Sequence, residues 1–353
     1  MRLIDTIKEI PERVEQLVGN FDFLDQEVAQ YIRQFSFYPN EIVFVASGSS
    51  YNAAFAVKHF AEKSLGIRIT LSYPNDFLYQ RTILNDKALY VFISQTGRTA
   101  AVEECIRFVL SKELMNLSMT ADDTSLIAKL ADFHFNIGCG EEQYLFRTKG
   151  YTCTVVSCIL LCMAVAKAAG LRAEKELCQY LADLKALPQS LSGIICAAEN
   201  WAAKNIAVID KKKCLIVSGE GDLWPIAQEA AIKFMEMLPI MSDSYEIEEL
   251  IHGPQNAFHS EILFIFLYNK DCDSLRALKI HEFIKNEIGD SILISNEKGA
   301  DMDLPLQLES RYFYFLELAA ACQVLAYYFS DFKGRDLSKR IHSQIDNYIQ
   351  KQI

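Results

Sequence analysis

The sequence lacks the features that mark several large classes of protein. It contains no long run of lysine or arginine, and its 353 residues carry a formal net charge of −11. Because binding to a nucleic-acid backbone needs clustered positive charge, this balance disfavours a nucleic-acid partner. The first residues, "MRLIDTIKEIPERV", are charged where a signal peptide would have an apolar core. We therefore expect a cytoplasmic protein with reduced thiols.

Signatures of metal, nucleotide and membrane binding are also missing. Cys153, Cys158 and Cys162 have no CxxC spacing and no neighbouring histidines, so no metal is predicted. No P-loop or GxGxxG fingerprint occurs, and "SGEGDLW" at 218–224 contains only GxG, so no nucleotide cofactor is predicted. The most apolar stretch, 151–170, is interrupted by polar residues and is too short to span a bilayer, which favours a buried helix.

What the sequence does contain is an alternation of strand-like and helix-like segments. Near-continuous apolar strands between helices predict a parallel sheet covered on both faces. The predicted strands are 41–47, 67–73, 88–94, 115–121 and 132–138, with helices at 51–64, 99–112 and 123–131.

The same pattern then restarts in the second half of the chain. Residues 211–236 repeat the order of 40–62, a strand followed by a small polar turn and a long helix. Strands at 262–268 and 291–296 continue this second round. We therefore predict an α/β fold of two doubly wound units. The predicted divisions are a helical segment 1–40, a first domain 41–195 and a second domain 196–353.

Two hydroxyl-rich turns follow strands of the first half. One contains Ser47 to Ser50, and the other runs from Ser94 through Gln95, Thr96 and Gly97 to Thr99. Ligands of doubly wound sheets collect at the carboxyl ends of strands, where helix N-termini also favour anions. The alternative is that these hydroxyls are ordinary helix N-caps. Two such turns in one sheet favour an anion site.

The second half supplies candidates for acid–base chemistry. Glu229, Lys233 and Glu236 fall on one face of a predicted helix, where the alternative is a solvated stripe of salt bridges. His252 precedes a stiff Gly-Pro turn, and the alternative for it is an ordinary surface histidine. Neither feature decides between its two interpretations alone.

Six motifs, taken together, resemble the sugar isomerase (SIS) domain family, most clearly the isomerase half of glucosamine-6-phosphate synthase. They are "SGSSYN" (47–52), "SQTGRT" (94–99), "GEEQYLFRTKGYT" (140–152), "PIAQEAAIKFMEM" (225–237), "ELIHGP" (249–254) and "GRDLSKRI" (334–341). The resemblance implies two SIS subdomains, each with a five-stranded parallel sheet between helices. It also implies a homodimer with active sites at the subunit interface.

The resemblance implies roles for individual residues. It places phosphate binding on Ser49, Ser50, Ser94, Gln95, Thr96 and Thr99. It makes Glu236 the base that moves a proton between C1 and C2, with Glu229 and Lys233 as its helix partners. His252, from the neighbouring subunit, would open the sugar ring, and Lys339 would form a Schiff base or neutralise the substrate.

The sequence also departs from the synthase. The chain begins Met1-Arg2-Leu3 without the glutaminase domain, so it is expected not to obtain ammonia from glutamine. Arg98 replaces an acidic residue, and Arg147 replaces a serine near the sugar. A guanidinium there can bind a carboxylate in bidentate fashion, which favours a substrate with an amino-acid group.

We therefore expect a phosphosugar isomerase or deglycase that acts at C1 and C2 of an amino-sugar 6-phosphate of the fructosamine type. The resemblance extends to fructosamine-6-phosphate deglycases, through "GSSYNAAF" and "GRDLSKRI". One alternative is a glucosamine-6-phosphate deaminase or a related amino-sugar isomerase. A second is a non-catalytic protein that senses sugar phosphates. The expected partner is a phosphorylated sugar, with no nucleic acid and no membrane.

Overall fold

The computed structural model describes residues 2–80, 83–297, 299, 302–349 and 352. The chain forms two compact units. The first-sheet unit contains Glu12–Gln143, Lys149–Lys185 and Arg340–Ile353. The second-sheet unit contains Met1–Pro11, Tyr144–Thr148 and Ala186–Lys339.

The first sheet has five parallel strands in the order β2-β1-β3-β4-β5. Each of the five strands predicted from the sequence is present. Their bounds are β1 Glu41–Val45, β2 Arg68–Ser72, β3 Ala88–Ile93, β4 Asn116–Thr120 and β5 Phe133–Asn136. Every residue of β1, β3 and β4 is buried, as expected for a sheet covered on both faces.

Helices flank this sheet and begin close to the predicted positions. They include α3 Phe21–Ile32, α4 Ser49–Phe60 with a π-helical continuation Ala61–Leu65, α5 Ala100–Leu110, α6 Leu126–Leu130 and α7 Lys149–Ala168. The N-terminal helical region divides into α1 Leu3–Lys8, α2 Ile10–Gly19 and α3, with Pro11 in the first turn of α2, where its missing N–H costs nothing. α8 is Glu174–Asn205.

α7 is the one helix of the described residues that is long and apolar enough to cross a membrane. The structure buries 89% of its apolar window. Cys153, Cys158 and Cys162 lie on it as buried free thiols, and burial raises the pKa of each. The prediction of a buried core helix is confirmed.

The second sheet repeats the architecture of the first. Its five parallel strands follow the order β10-β9-β8-β6-β7. They are β6 Cys214–Gly219, β7 Met241–Glu246, β8 Ile262–Tyr268, β9 Ser291–Ser295 and β10 Leu304–Pro305. The helices are α9 Trp224–Met237, α10 Arg276–Glu287 and α11 Tyr314–Phe332. The predicted fold class, two doubly wound five-stranded parallel sheets with helices, is confirmed.

The strand order places two turns of the first sheet side by side. β2 lies on one side of β1 and β3 on the other, so the chain reverses its direction of winding between β1 and β3. Val45, the last residue of β1, pairs with Phe92 near the end of β3. The turns that follow these two strands therefore leave the sheet next to each other, where doubly wound proteins bind their ligands.

Candidate functional site

The turn after β1 leads directly into the N-terminus of α4. Gly48 has φ +58°, a conformation that favours glycine, and a Cβ there would have no neighbour within 4 Å. Ser49 and Ser50 form the first turn of α4 and are half-buried. Their backbone N–H groups belong to the unsatisfied donors of a twelve-residue helix, which favour an anion.

The turn after β3 contains a pair of hydroxyls. Ser94 is buried, and its Oγ lies 2.8 Å from Oγ1 of Thr99. Thr99 occupies the N-cap position of α5, yet its side chain makes no capping hydrogen bond. The N-cap interpretation is therefore wrong for the Thr99 hydroxyl, which pairs with Ser94 instead.

Gly97 sets the shape of this second turn. Its φ is +63°, and an added Cβ would lie 2.1 Å from Oγ of Ser125, so no larger residue fits. Thr96 is half-buried and Arg98 is exposed. The pKa of Asp122 is lowered mainly by hydrogen bonds from Thr124, with a smaller contribution from the Arg98 charge. The Arg98 charge therefore acts on Asp122.

Gln95 is held by a residue that the sequence reasoning did not single out. Its Nε2 donates to Oε2 of Glu142 at 2.8 Å and lies 3.7 Å from Sγ of the buried Cys139. The same Glu142 oxygen accepts the backbone N–H of Gly150 at 3.3 Å. A Cβ on Gly150 would lie 2.2 Å from the Gln95 amide. Glu142 and Gly150 lie in "GEEQYLFRTKGYT", the motif that signalled them.

In the second-sheet unit, α9 carries a buried cation between two carboxylates. Lys233 Nζ lies 3.5 Å from Oε1 of Glu229 and 2.5 Å from Oε2 of Glu236. The side chains of Lys233 and Glu229 are 1% and 3% exposed, whereas that of Glu236 is 37% exposed. The interpretation as a solvated stripe is therefore wrong for Glu229 and Lys233. Glu236 is the member of this set that a solute can reach.

His252 and Lys339 lie on the surface, and each pairs within its own segment. The His252 Nε2 lies 3.3 Å from Oε1 of Glu248. The Lys339 side chain is 77% exposed, and its Nζ lies 2.9 Å from Oδ2 of Asp336. Hydrogen bonds from Ser338 and Lys339 lower the pKa of Asp336 to about 2. Among the described residues, neither His252 nor Lys339 contacts the α9 set.

Arg147 is half-buried and donates from Nη1 to the carbonyl of Tyr144 at 3.1 Å. The structure thus brings together Ser94 with Thr99, and Glu229 with Lys233 and Glu236, while Arg147 is ordered by its own loop.

In the part of the chain that the structure describes, no group of three or more His, Cys, Asp or Glu residues is arranged to hold a metal ion.

The corresponding edge of the second sheet carries negatively charged side chains. The segments after β6 and β8 carry Glu220, Asp222 and Asp273 in place of hydroxyls. Burial, together with the charges of Glu220 and Asp222, raises the pKa of Asp273 to about 7, even though the Asn269 backbone N–H donates to it. Carboxylates repel an anion, so the features that favour phosphate belong to the first sheet.

The fold and the first-sheet turns define a doubly wound α/β protein with an anion-binding candidate at its switch point. Residues 38–168 match the model of the SIS domain family. The predicted resemblance to the SIS family is confirmed, and three of the six motifs, at 47–52, 94–99 and 140–152, lie within the matched residues.

Known proteins extend the similarity over more of the chain. The glutamine–fructose-6-phosphate aminotransferase [isomerizing] of Bartonella henselae is 25% identical over 268 residues, which cover 74% of this chain. This chain spans only 43% of that relative. Two solved structures show the same fold. A Clostridium difficile 630 protein, provisionally named a phosphosugar isomerase, has a TM-score of 0.90 and 23% identity, with 99% of this chain and 98% of that chain covered. The C-terminal domain of glucosamine-fructose-6-phosphate aminotransferase from Francisella tularensis has a TM-score of 0.85 and 22% identity, with 96% of this chain and 98% of that chain covered.

Proposed function

We propose that this protein is a phosphosugar isomerase or deglycase. Its substrate is an amino-sugar 6-phosphate of the fructosamine type, and the reaction at C1 and C2 releases the amine. The observation that carries the proposal is the hydroxyl pair of Ser94 and Thr99 at the switch point, beside the helix N-terminus at Ser49. This arrangement offers hydroxyl and N–H donors to a phosphate monoester.

The phosphate end supplies binding energy away from the reacting carbons. Ser49, Ser50, Ser94, Thr96 and Thr99 hold the phosphate in this proposal, with the charge of Arg98 nearby. Gln95 has a different role, because both of its N–H groups face protein acceptors at Glu142 and Cys139. The side-chain oxygen Oε1 of Gln95 makes no hydrogen bond with a described residue, and it can accept one from a sugar hydroxyl. Binding energy of this remote kind can be used to orient the carbons that react.

Glu236 is the proposed base. It removes the C1 proton of the open-chain ketosamine, which gives an enolamine, and the proton returned to C2 gives an aldimine. Water then adds to the aldimine carbon, the C–N bond breaks, and the products are an aldose 6-phosphate and the free amine. Lys233 holds the Glu236 carboxylate in one position, and positioned proton transfer of this kind is typically worth about 10² to 10⁴ in rate.

The remaining roles come from the resemblance. His252 acts as the general acid that opens the ring, and it is donated by the neighbouring subunit of a homodimer. Lys339 neutralises the open-chain substrate or forms a Schiff base with it. Arg147 binds a carboxylate of the amine portion. One Nη1 N–H of Arg147 donates to the Tyr144 carbonyl, and a guanidinium presents several donors in a planar fork that matches a carboxylate.

A substrate panel tests the proposal. The protein is incubated with hexose 6-phosphates that carry an amine at C1 or at C2, and released amine and hexose phosphate are measured. We expect release from the C1-substituted ketosamines. Ammonia release from glucosamine 6-phosphate alone would instead identify a deaminase. Saturable binding with no turnover of any member would identify a sensor of sugar phosphates.

A further inference from the structure

The amide of Gln95, in the turn after β3, is held by groups that lie outside that turn. Its Nε2 donates to Oε2 of Glu142 at 2.8 Å and lies 3.7 Å from Sγ of the buried Cys139. Both N–H bonds of the amide therefore face protein acceptors. Oε1 makes no hydrogen bond with a described residue and is not one of the buried polar atoms that lack a partner, so it is open to solvent.

Glu142 decides which end of this amide faces the protein. A carboxylate accepts hydrogen bonds and donates none, so only the NH₂ end of a glutamine can bond to it. The opposite orientation would place Oε1 of Gln95 against Oε2 of Glu142, two acceptors with no proton between them. Gln95 is thereby limited to one role toward a ligand, which is to accept a hydrogen bond through Oε1.

Glu142 is in turn held by the N-terminus of α7. The same Oε2 accepts the backbone N–H of Gly150 at 3.3 Å, in the first turn of this twenty-residue helix. The first N–H groups of a helix have no partner within it, and the helix dipole favours a carboxylate there. Every residue of α7 from Lys149 to Ala166 is buried, so the helix gives Glu142 a fixed partner.

Gly150 leaves the space that the Gln95 amide occupies. A Cβ on Gly150 would lie 2.2 Å from Nε2 and 2.3 Å from Oε1 of Gln95, far inside van der Waals contact. The backbone itself does not require glycine, because Gly150 is a helical residue and its φ is not positive. The close approach of the amide is therefore the reason for a glycine at this position.

We propose that Glu142 is a positioning residue that, together with Gly150, makes Gln95 an obligate acceptor for a hydroxyl of the bound sugar. The inference rests on the proposed function, in which the neighbouring hydroxyls of Ser94 and Thr99 hold the phosphate. It adds specificity to that site, because the phosphate group alone does not engage Oε1 of Gln95. A phosphate ester that carries hydroxyls is therefore preferred to one that carries none.

Calorimetric titration of the intact protein with two phosphate monoesters tests the proposal. Glucitol 6-phosphate carries hydroxyls and has no carbonyl that could react, and hexyl phosphate has the same six-carbon chain without hydroxyls. Glu142→Leu and Gly150→Ala should each weaken binding of glucitol 6-phosphate about five- to tenfold, the contribution of one hydrogen bond, and leave the affinity for hexyl phosphate within about twofold. Unchanged affinity for glucitol 6-phosphate in both variants would overturn the proposal.

Two further variants are matched controls. The amide oxygen of Glu142→Gln can accept from both Gly150 and Gln95, as Oε2 of Glu142 does, so its affinity for glucitol 6-phosphate should stay within about twofold of the wild type. Glu141→Leu removes a carboxylate from the adjacent exposed position and should change neither affinity. Unfolding temperatures establish that all variants fold. A loss in Glu142→Gln equal to that in Glu142→Leu would assign the effect to charge and overturn the proposal.

Gln95→Leu distinguishes positioning from a purely structural role. If Glu142 acts through Gln95, the double variant Glu142→Leu, Gln95→Leu binds glucitol 6-phosphate as weakly as Gln95→Leu alone, because substitutions within one hydrogen-bond network are not additive. Additive losses, or equal losses for the two probes, would overturn the proposal and leave the phosphate site in place. A wild-type protein that binds neither probe would refute the phosphate site itself, and the proposal with it.

Discussion

Nζ of Lys233 lies 2.5 Å from the carboxylate of Glu236, and the ammonium is buried while the carboxylate reaches solvent. This relationship gives the two residues different duties. A buried ammonium is stable only when it is paired, so the Lys233 ammonium depends on the carboxylates of Glu229 and Glu236. Glu236 has one oxygen fixed by that ion pair and remains accessible to a substrate.

Glu236→Gln tests the base. The substitution keeps the shape of the side chain and removes its basicity, so we expect kcat to fall by at least about a hundredfold. The reaction is run in D2O, and the C1 and C2 protons are followed by NMR. Glu282→Gln, on the exposed side of α10, is the control. Deuterium exchange at the wild-type rate in Glu236→Gln would show that the base lies elsewhere.

Lys233→Met tests the structural half of this relationship. The variant removes the ammonium that pairs with the buried Glu229 carboxylate, and breaking a buried pair typically costs about 3–5 kcal/mol in the free energy of unfolding. Denaturant titration measures the loss. The double variant Glu229→Gln, Lys233→Met removes both charges and should recover much of it. A Lys233→Met variant as stable as the wild type would contradict the burial of this pair.

Ser94→Ala combined with Thr99→Ala tests the phosphate turn. The two hydroxyls bond to each other, so removing both leaves no unpaired group and the fold should survive. We expect affinity for a sugar 6-phosphate, measured by calorimetry, to fall at least about tenfold. The control is Ser111→Ala, at the opposite end of α5, whose hydroxyl donates to Phe108. Unchanged affinity in the double variant would move the phosphate site away from this turn.

Subunit mixing tests the proposed homodimer. We expect Glu236→Gln and His252→Ala to be inactive separately, because each lacks one proton-transfer group. If His252 serves the neighbouring subunit, a mixture forms hybrid sites that contain both wild-type residues, and some activity returns. Subunit exchange is verified with differently tagged chains. Absence of recovery despite exchange would show that the two residues act within one chain.

Asp273→Asn tests the acidic edge of the second sheet. The folded-state pKa of Asp273 is raised to about 7 from an ordinary value of 3.8. The folded protein therefore binds more protons than the unfolded chain between these two values, and stability falls as the pH rises through this window.

Since one pKa unit corresponds to about 1.4 kcal/mol, Asp273→Asn should raise the free energy of unfolding by at least about 1 kcal/mol at pH 8. The gain should largely disappear at pH 4, where the wild-type carboxyl is protonated as well. Denaturant titrations at both pH values make the comparison. An equal gain at both would assign the effect to packing rather than to charge.

Local pattern was enough to predict much of the first sheet. β1 and β3 are near-continuous apolar runs, and the hydroxyls of 94–99 follow β3 directly. The prediction of the second sheet was less complete, because β7 carries Asp243 and Glu246 at a sheet edge and β10 has only two residues. Such strands owe their existence to pairing with a neighbour, and their own composition does not signal it.

The sequence by itself determined the alternation of strands and helices, the two rounds of that alternation and the place of the hydroxyl-rich turns. These features depend on propensity and periodicity over a few residues. Only the tertiary structure decided that Glu142 holds Gln95, 47 residues away, that Lys233 is buried rather than solvated, and that residues 144–148 join the second-sheet unit. The reason is physical: desolvation and contacts between distant segments depend on which surfaces pack together, and no short stretch of sequence contains that information.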